Sequence, residues 1–207
     1  MTDSFQTLAA PVQAEPPKTK GSRHIGDAFP VTTEAEAQAA LQSVRAREHA
    51  ATHHVWAWRL GTDGAPRASD DGEPSGSAGL PTLREIEGRD LTDVVVVVTR
   101  YYGGTKLGTG GLMRAYSEAA GAALDAGRVV TRIVRVPVTL RFAFADTAPA
   151  MRLLDVFGAL VEEQTYDADG SALRLAVRAG EAEALAAAFV EATSGRGVAE
   201  VQPLTRS

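Results

Sequence analysis

Five consecutive valines, Val94 to Val98, have no polar position among them. A run this short and this β-branched predicts a strand covered on both faces. After Arg100, Tyr101 and Tyr102 the pattern breaks into glycines: Gly103, Gly104, Gly108, Gly110 and Gly111, with Lys106 among them. From Leu112 the spacing turns helical. Leu112, Ala115 or Tyr116, Ala119 and Ala123 share one face, and Gly127 stands where a helix would end.

Upstream, Thr33 and Glu36 match a capping box, followed by the stripe Ala37, Ala40, Leu41 and Val44, which fades near His49. From His54 to Leu60 the period is two: Trp56, Trp58 and Leu60 face one way, Val55, Ala57 and Arg59 the other. Asp63-Gly64 predicts a turn into a short partner strand ending near Ser69. A polar loop, SDDGEPSGSAGLP, leads to Pro81 in the first turn of a short helix carrying Leu83 and Ile86 and stopping at Gly88. Before all this, Lys18 to Gly26 reads as a basic entry and short edge strand. Residues 1–17 contain Pro11, Pro16 and Pro17 without periodicity, so a mobile tail is expected.

Downstream, Val129 to Val136 predicts a closing strand, and Pro137 marks the start of a second domain, giving spans 18–136 and 137–207. The second domain reads in order. A strand (Val138 to Phe144) precedes a helix from Asp146 or Thr147 with Met151, Leu154 and Phe157 inward, ended by Gly158. A strand from Leu160 to Tyr166 turns at Asp169-Gly170 into another on which Leu173, Leu175 and Val177 alternate. A helix from Glu181 to about Thr193, with Leu185, Ala188 and Phe189 inward, precedes a last strand, Val198 to Leu204. This β-α-β-β-α-β order is the ferredoxin-like plan, and the whole chain is α+β.

Composition narrows the classes. With 44% hydrophobic residues among 207 the chain can build real cores, and no cysteine is present for a disulfide framework or thiolate chemistry. The opening residues lack the cationic start and apolar centre of a secretory signal, and no apolar run spans a bilayer, so a cytoplasmic protein without a membrane partner is expected. A net charge of −5 leaves no whole-molecule footprint for nucleic acid; an RNA contact would need a local basic patch.

Such a patch exists. A strand running through a glycine-rich basic loop into a helix N-terminus offers free N–H groups and the positive end of a dipole to an anion, with Arg100, Lys106 and Arg114 nearby. The same residues equally describe a tight structural crossover in which glycines supply positive φ. Asp70, Asp71 and Glu73 invite a hard cation or acid–base chemistry. Their spacing fits no calcium loop, and a structured loop salt-bridged to the Arg100 to Lys106 segment is expected. His49, His53 and His54 straddle a helix end and a strand start without zinc spacing, so they read as structural or surface residues. No nucleophile–base pair is visible. No catalytic residue, metal or cofactor is assigned.

Three stretches, KGSRHIG, DDGEPSGSAGLP and VVVVTRYYGGTKLGTGGLMRAY, together resemble the signature of the IMPACT (YigZ-like) family, bacterial two-domain type. The resemblance runs roughly from Lys20 to Gly127. It implies an N-terminal α/β domain similar to the second domain of small-subunit ribosomal protein five and to domain IV of elongation factor G. The ferredoxin-like C-terminal domain would be similar to the last domain of that factor. The motif positions here are Lys20, Gly21, Ser22 and Arg23; Asp70, Asp71, Gly72, Glu73, Pro74 and Gly76; and Arg100, Tyr101, Tyr102, Gly103, Gly104, Lys106, Gly108, Gly110, Gly111, Arg114 and Tyr116. His24 stands where an aromatic is common, and Tyr102 where Phe is common. The function implied is that of a non-enzymatic binding protein linked to translation or its regulation. Lys20, Arg23 and the basic loop would meet RNA phosphates, a ribosome or a translation-associated protein. An enzyme acting on a phosphorylated or anionic small molecule, with the Asp-Asp-Gly-Glu loop as acid/base or Mg²⁺ site, is the alternative. In a third reading both motif loops are scaffold.

Overall fold

The computed structural model describes residues 3–61 and 66–203. The expected Asp63-Gly64 turn and the Leu204 end of the last strand lie outside them. The chain folds as two compact units, Phe5–Arg132 and the residues from Ile133 onward together with those before Phe5.

In chain order the first unit contains β1 (Ser4–Leu8), β2 (Val12–Ala14), β3 (Arg23–Pro30), α1 (Glu34–Arg47), β4 (His53–Arg59), β5 (Arg67–Ser69), α2 (Gly79–Gly88), β6 (Val94–Tyr101), α3 (Thr109–Ala126) and β7 (Val129–Ile133). Five strands form an antiparallel sheet in the order β2-β3-β6-β4-β5, while β1 pairs with β7. The valine run is the central strand, and its alternation fills two cores. Val94, Val96 and Val98 pack with α2 and α3; Val95 and Val97 pack with Leu41, Val44 and Trp58 on the α1 side. Period two on β4 works the same way, sending Val55 and Ala57 to the first core and Trp56, Trp58 and Leu60 to the second.

From Ser4 on, the expected mobile tail is instead structured. Leu8 is fully buried, Thr7 Oγ1 donates to the Asp93 carbonyl at 3.1 Å, and β2 covers the outer edge of β3. β3 is therefore an interior strand, not the edge strand expected. Three- and five-residue strands carry too few positions to show a period. The prolines flank them and take no ladder hydrogen bond away.

Thr33 caps α1, its Oγ1 accepting from Glu36 N at 3.2 Å, while the Glu36 carboxylate reaches one residue beyond a capping box, to Thr32 N at 2.6 Å. α3 starts at Thr109, so Gly110 and Gly111 belong to its first turn and not to the loop. Gly127 ends α3 in an extended conformation. Its role is close packing: a Cβ there would stand 2.7 Å from Leu8 Cδ2. Gly26 on β3 is under tighter constraint, because a Cβ would land inside the Ala119 carbonyl of α3. Gly26→Ala should cost about 1–3 kcal/mol in urea unfolding by forcing α3 off the sheet. An unchanged midpoint would mean that the helix yields freely.

The second unit contains β8 (Arg135–Ala143), α4 (Thr147–Phe157), β9 (Leu160–Tyr166), β10 (Gly170–Arg178), α5 (Ala182–Ala192) and β11 (Val198–Val201). Its antiparallel sheet has the order β11-β8-β10-β9, the ferredoxin-like arrangement. Val138, Leu140, Phe142, Leu173, Leu175 and Val177 face Leu154, Leu185 and Phe189 of the helices. Two details depart from expectation. Pro137 sits inside β8, where its carbonyl still accepts from Gln202 N at 2.9 Å; the N–H it lacks falls where β11 has ended. Met151 is 44% exposed, because Ala150 and Leu154 fill the inward face of α4.

Candidate functional site

β3, β6 and β4 bring His24, Arg100 and His53 into one cross-strand row, since both histidines pair directly with Arg100. Period two sets this row on the same face as Val94, Val96 and Val98, beyond the end of the hydrophobic core. Glu73 closes it. Its carboxylate accepts from Arg100 Nη1 at 2.5 Å and from the Tyr116 hydroxyl of α3 at 2.8 Å, with His53 Nε2 3.8 Å away. The Arg100 and Glu73 side chains are only 7% and 4% exposed, so the acidic and basic motif loops meet in a buried ion pair. Ser22 Oγ accepts from Gly103 N at 3.2 Å and lies 3.5 Å from Arg100 Nη2, tying in the third motif. Burial pushes the Tyr116 hydroxyl well above its usual range, helped by its bond to Glu73. Burial, then the charge of Arg100, pulls the His24 imidazole down to about 4. His24 Nε2 and Arg100 Nε are buried without a partner among the described residues.

Each acid of the loop is bound within the fold. Asp70 to Glu73 form a tight turn, with Glu73 N donating to the Asp70 carbonyl at 3.0 Å and positive φ at Asp71 and Gly72. Asp70 accepts from the N–H groups of Gly76, Ala78 and Gly79 at 2.8–2.9 Å, capping α2, whose own cap residue is Ala78. Burial alone would raise the Asp70 carboxyl; the three N–H groups outweigh it and hold it below its ordinary value. Asp71 accepts from Arg45 at 2.9 Å and from His54 N at 2.6 Å. Among the described residues no group of His, Asp and Glu is arranged to hold a metal ion.

The basic candidates separate. Arg23 is paired with Glu15 at 2.6 Å and lies over the Tyr101 ring, whose hydroxyl donates to Glu48; these two belong to the α1 side of the sheet. Arg100 is buried. Lys20, Tyr102, Lys106 and Arg114 remain exposed with Gly103, Gly104, Gly108 and Gly110. Lys20 and Gly21 are the two left-handed corners of a tight turn closed by mutual hydrogen bonds of Thr19 and Ser22. That turn lies against the glycine loop so closely that a Cβ on Gly21 would stand 2.9 Å from the Gly103 carbonyl oxygen. Arg114 folds back toward the first turn of α3, its Nε 3.5 Å from the Gly110 carbonyl.

Sequence reasoning missed His24 and His53 as members of this cluster. Their signal was the strand period, which becomes usable only once the register against β6 is known.

An α/β domain whose three motif loops lock around one buried ion pair, followed by a ferredoxin-like domain, defines a two-domain class. Residues 20–124 match the model of the Impact N-terminal domain, and residues 140–196 that of a domain of unknown function, DUF1949. The chain is 46% identical over 112 residues to IMPACT family member YvyE of Bacillus subtilis, covering 54% of this chain and 52% of that protein. It is 39% identical over 178 residues to an IMPACT family member in the pol 5′ region of Thermus thermophilus, covering 84% and 95%. With IMPACT family member YigZ of Escherichia coli the identity is 42% over 106 residues, covering 50% of each. The chain thus spans about half the length of the Bacillus and Escherichia relatives in these matches. A solved structure described as a crystal structure of a hypothetical protein superposes with a TM-score of 0.71 at 30% identity, covering 100% of both chains. The chain belongs to the IMPACT family.

Proposed function

We propose that this protein is a non-enzymatic binding protein that acts in the cytoplasm, in translation or its regulation. Its exposed loop surface engages RNA phosphates, directly or on the ribosome. The observation that carries this reading is the backbone contact between the Lys20 turn and the glycine loop, which joins two basic segments far apart in sequence into one surface. Lys20, Lys106 and Arg114 supply charge, Tyr102 an exposed ring for stacking, and the start of α3 its free N–H groups. Arg100 supports the surface from beneath. No helix among the described residues is long and apolar enough to cross a membrane.

The test is ribosome co-sedimentation at low and physiological salt, comparing the native chain with a Lys20→Ala, Lys106→Ala, Arg114→Ala variant. All three residues are exposed, so the variant should melt like the native chain. The native chain should pellet, less at higher salt, and the variant should stay in the supernatant. Equal pelleting, or none at all, would overturn the reading. The alternative of an enzyme acting on an anionic small molecule draws on one observation, the unpartnered His24 Nε2 and Arg100 Nε beside Glu73. It requires a small anion to raise the melting temperature of the native chain, an effect lost in Glu73→Gln.

A further inference from the structure

The sheet of the second unit has helices on one face only, because α4 and α5 both pack on the side of Leu140 and Leu175. Strand register fixes what the other face carries. On the two central strands it holds Arg135, Thr139 and Arg141 of β8, and Arg174 and Arg178 of β10, separated by Pro137, Ala172 and Ala176. From residue 133 onward the sequence has seven arginines and no lysine against ten acids, yet four of those arginines share this face. The central strands place no acid there; Glu163 on β9 and Glu200 on β11 stand at its edges.

Arg135 and Arg178 are directly opposite each other, an arrangement that costs stability unless something neutralises it. Among the described residues Arg135 Nη1 donates only to carbonyls, those of Ala176 at 3.3 Å and Gly158 at 3.5 Å. Arg141 and Arg178, both exposed, have no hydrogen-bond or ion-pair partner among the described residues, and Arg174 lies a loose 3.4 Å from Glu162. The two central strands thus form a platform of small residues carrying under-neutralised guanidinium groups along roughly 20 Å, six residues at about 3.3 Å each, with Glu163 opposite Arg174 on the edge strand β9.

We infer that this open sheet face binds the sugar–phosphate backbone of duplex RNA. Guanidinium groups match phosphate oxygens bidentately. The face carries no aromatic ring, which removes the stacking that single-strand binders use and leaves recognition by backbone and shape. The two central strands set no bulky apolar anchor among the arginines, and the exposed Leu160 and Val198 lie on the edge strands, opposite Ala176 and Arg141. This surface belongs to the second unit and does not depend on the loop surface proposed above.

The test measures binding of the full chain to an RNA duplex of about 20 base pairs, and to one of its strands, over a salt series. Arg141→Ala with Arg178→Ala should weaken duplex binding at least about tenfold and lower the slope of log K against log salt by about two. Relief of the Arg135–Arg178 repulsion should leave the melting temperature of this variant unchanged or raised, which separates lost binding from lost fold. The Lys20, Lys106, Arg114 variant should keep the contribution of these arginines, so either surface can fail alone. The inference is overturned if the arginine variant binds duplex with native affinity and slope, if the native chain does not bind duplex at low salt, or if it prefers the single strand. Loss of binding to a polyglutamate peptide with unchanged duplex binding would assign the face to an acidic protein and overturn it equally.

Discussion

Arg100→Ala is expected to destabilise the first unit by about 3–5 kcal/mol, the usual cost of removing one partner from a buried ion pair. The loss comes from what stays behind. Among the described residues the Glu73 carboxylate, 4% exposed, would keep only the Tyr116 hydroxyl as a close donor, with His53 Nε2 at 3.8 Å. Arg100→Lys should rescue little, because one ammonium cannot both reach Glu73 and lie near Ser22 Oγ as the two guanidinium nitrogens do. Replacing both partners, Arg100→Met with Glu73→Gln, should recover much of the loss, since no buried charge is then stranded. Urea unfolding of the four chains measures this. A loss below about 1 kcal/mol for Arg100→Ala would show that water reaches the pair and that it does not hold the motif loops together. The expected instability is also why Arg100 has no place in a ribosome-binding variant: an unfolded chain and a chain lacking a phosphate contact would both stay in the supernatant.

The same pair marks where reading the sequence stops. A valine run without polar positions announces a strand covered twice, and its alternation between two cores needs no further information. Helix stripes such as Leu41 and Val44, or Leu185 and Phe189, are equally local, so both helices could be placed from the chain alone. The second unit was legible for this reason: its strands and helices follow one another at regular spacing. Contacts across sequence distance were not. β1 finds its partner β7 some 120 residues away, and nothing in SFQTL reports that pairing. Glu73 and Arg100 could be suspected of a salt bridge by their opposite charges, but not that it would be buried. Burial follows from Tyr116 and His24 closing over it, which depends on how α3 lies on β3. Gly26 controls that approach, and from sequence it looks like any other glycine.

His24 turns this geometry into a pH dependence. Its ring meets Tyr116 edge-on at 5.3 Å between centroids, it is 2% exposed, and it directly opposes Arg100. Burial first, and the guanidinium second, lower its pKa from 6.5 to about 4 in the folded chain. Between those values the unfolded chain binds more protons than the folded one, so stability rises with pH. The contribution is fully present above pH 6.5, shrinks as pH falls, and is lost below about 4, a total of roughly 3 kcal/mol. Between pH 7.5 and pH 5 the native chain should therefore lose roughly 2 kcal/mol more than His24→Phe, which keeps the aromatic contact with Tyr116 and cannot be protonated. Carboxylates titrate in the same range but act on both chains, so the difference isolates the imidazole. Urea midpoints at the two pH values measure it. Parallel losses would mean that the folded protein accepts the His24 proton beside Arg100 at no cost, and that the row of His24, Arg100 and His53 is open to water.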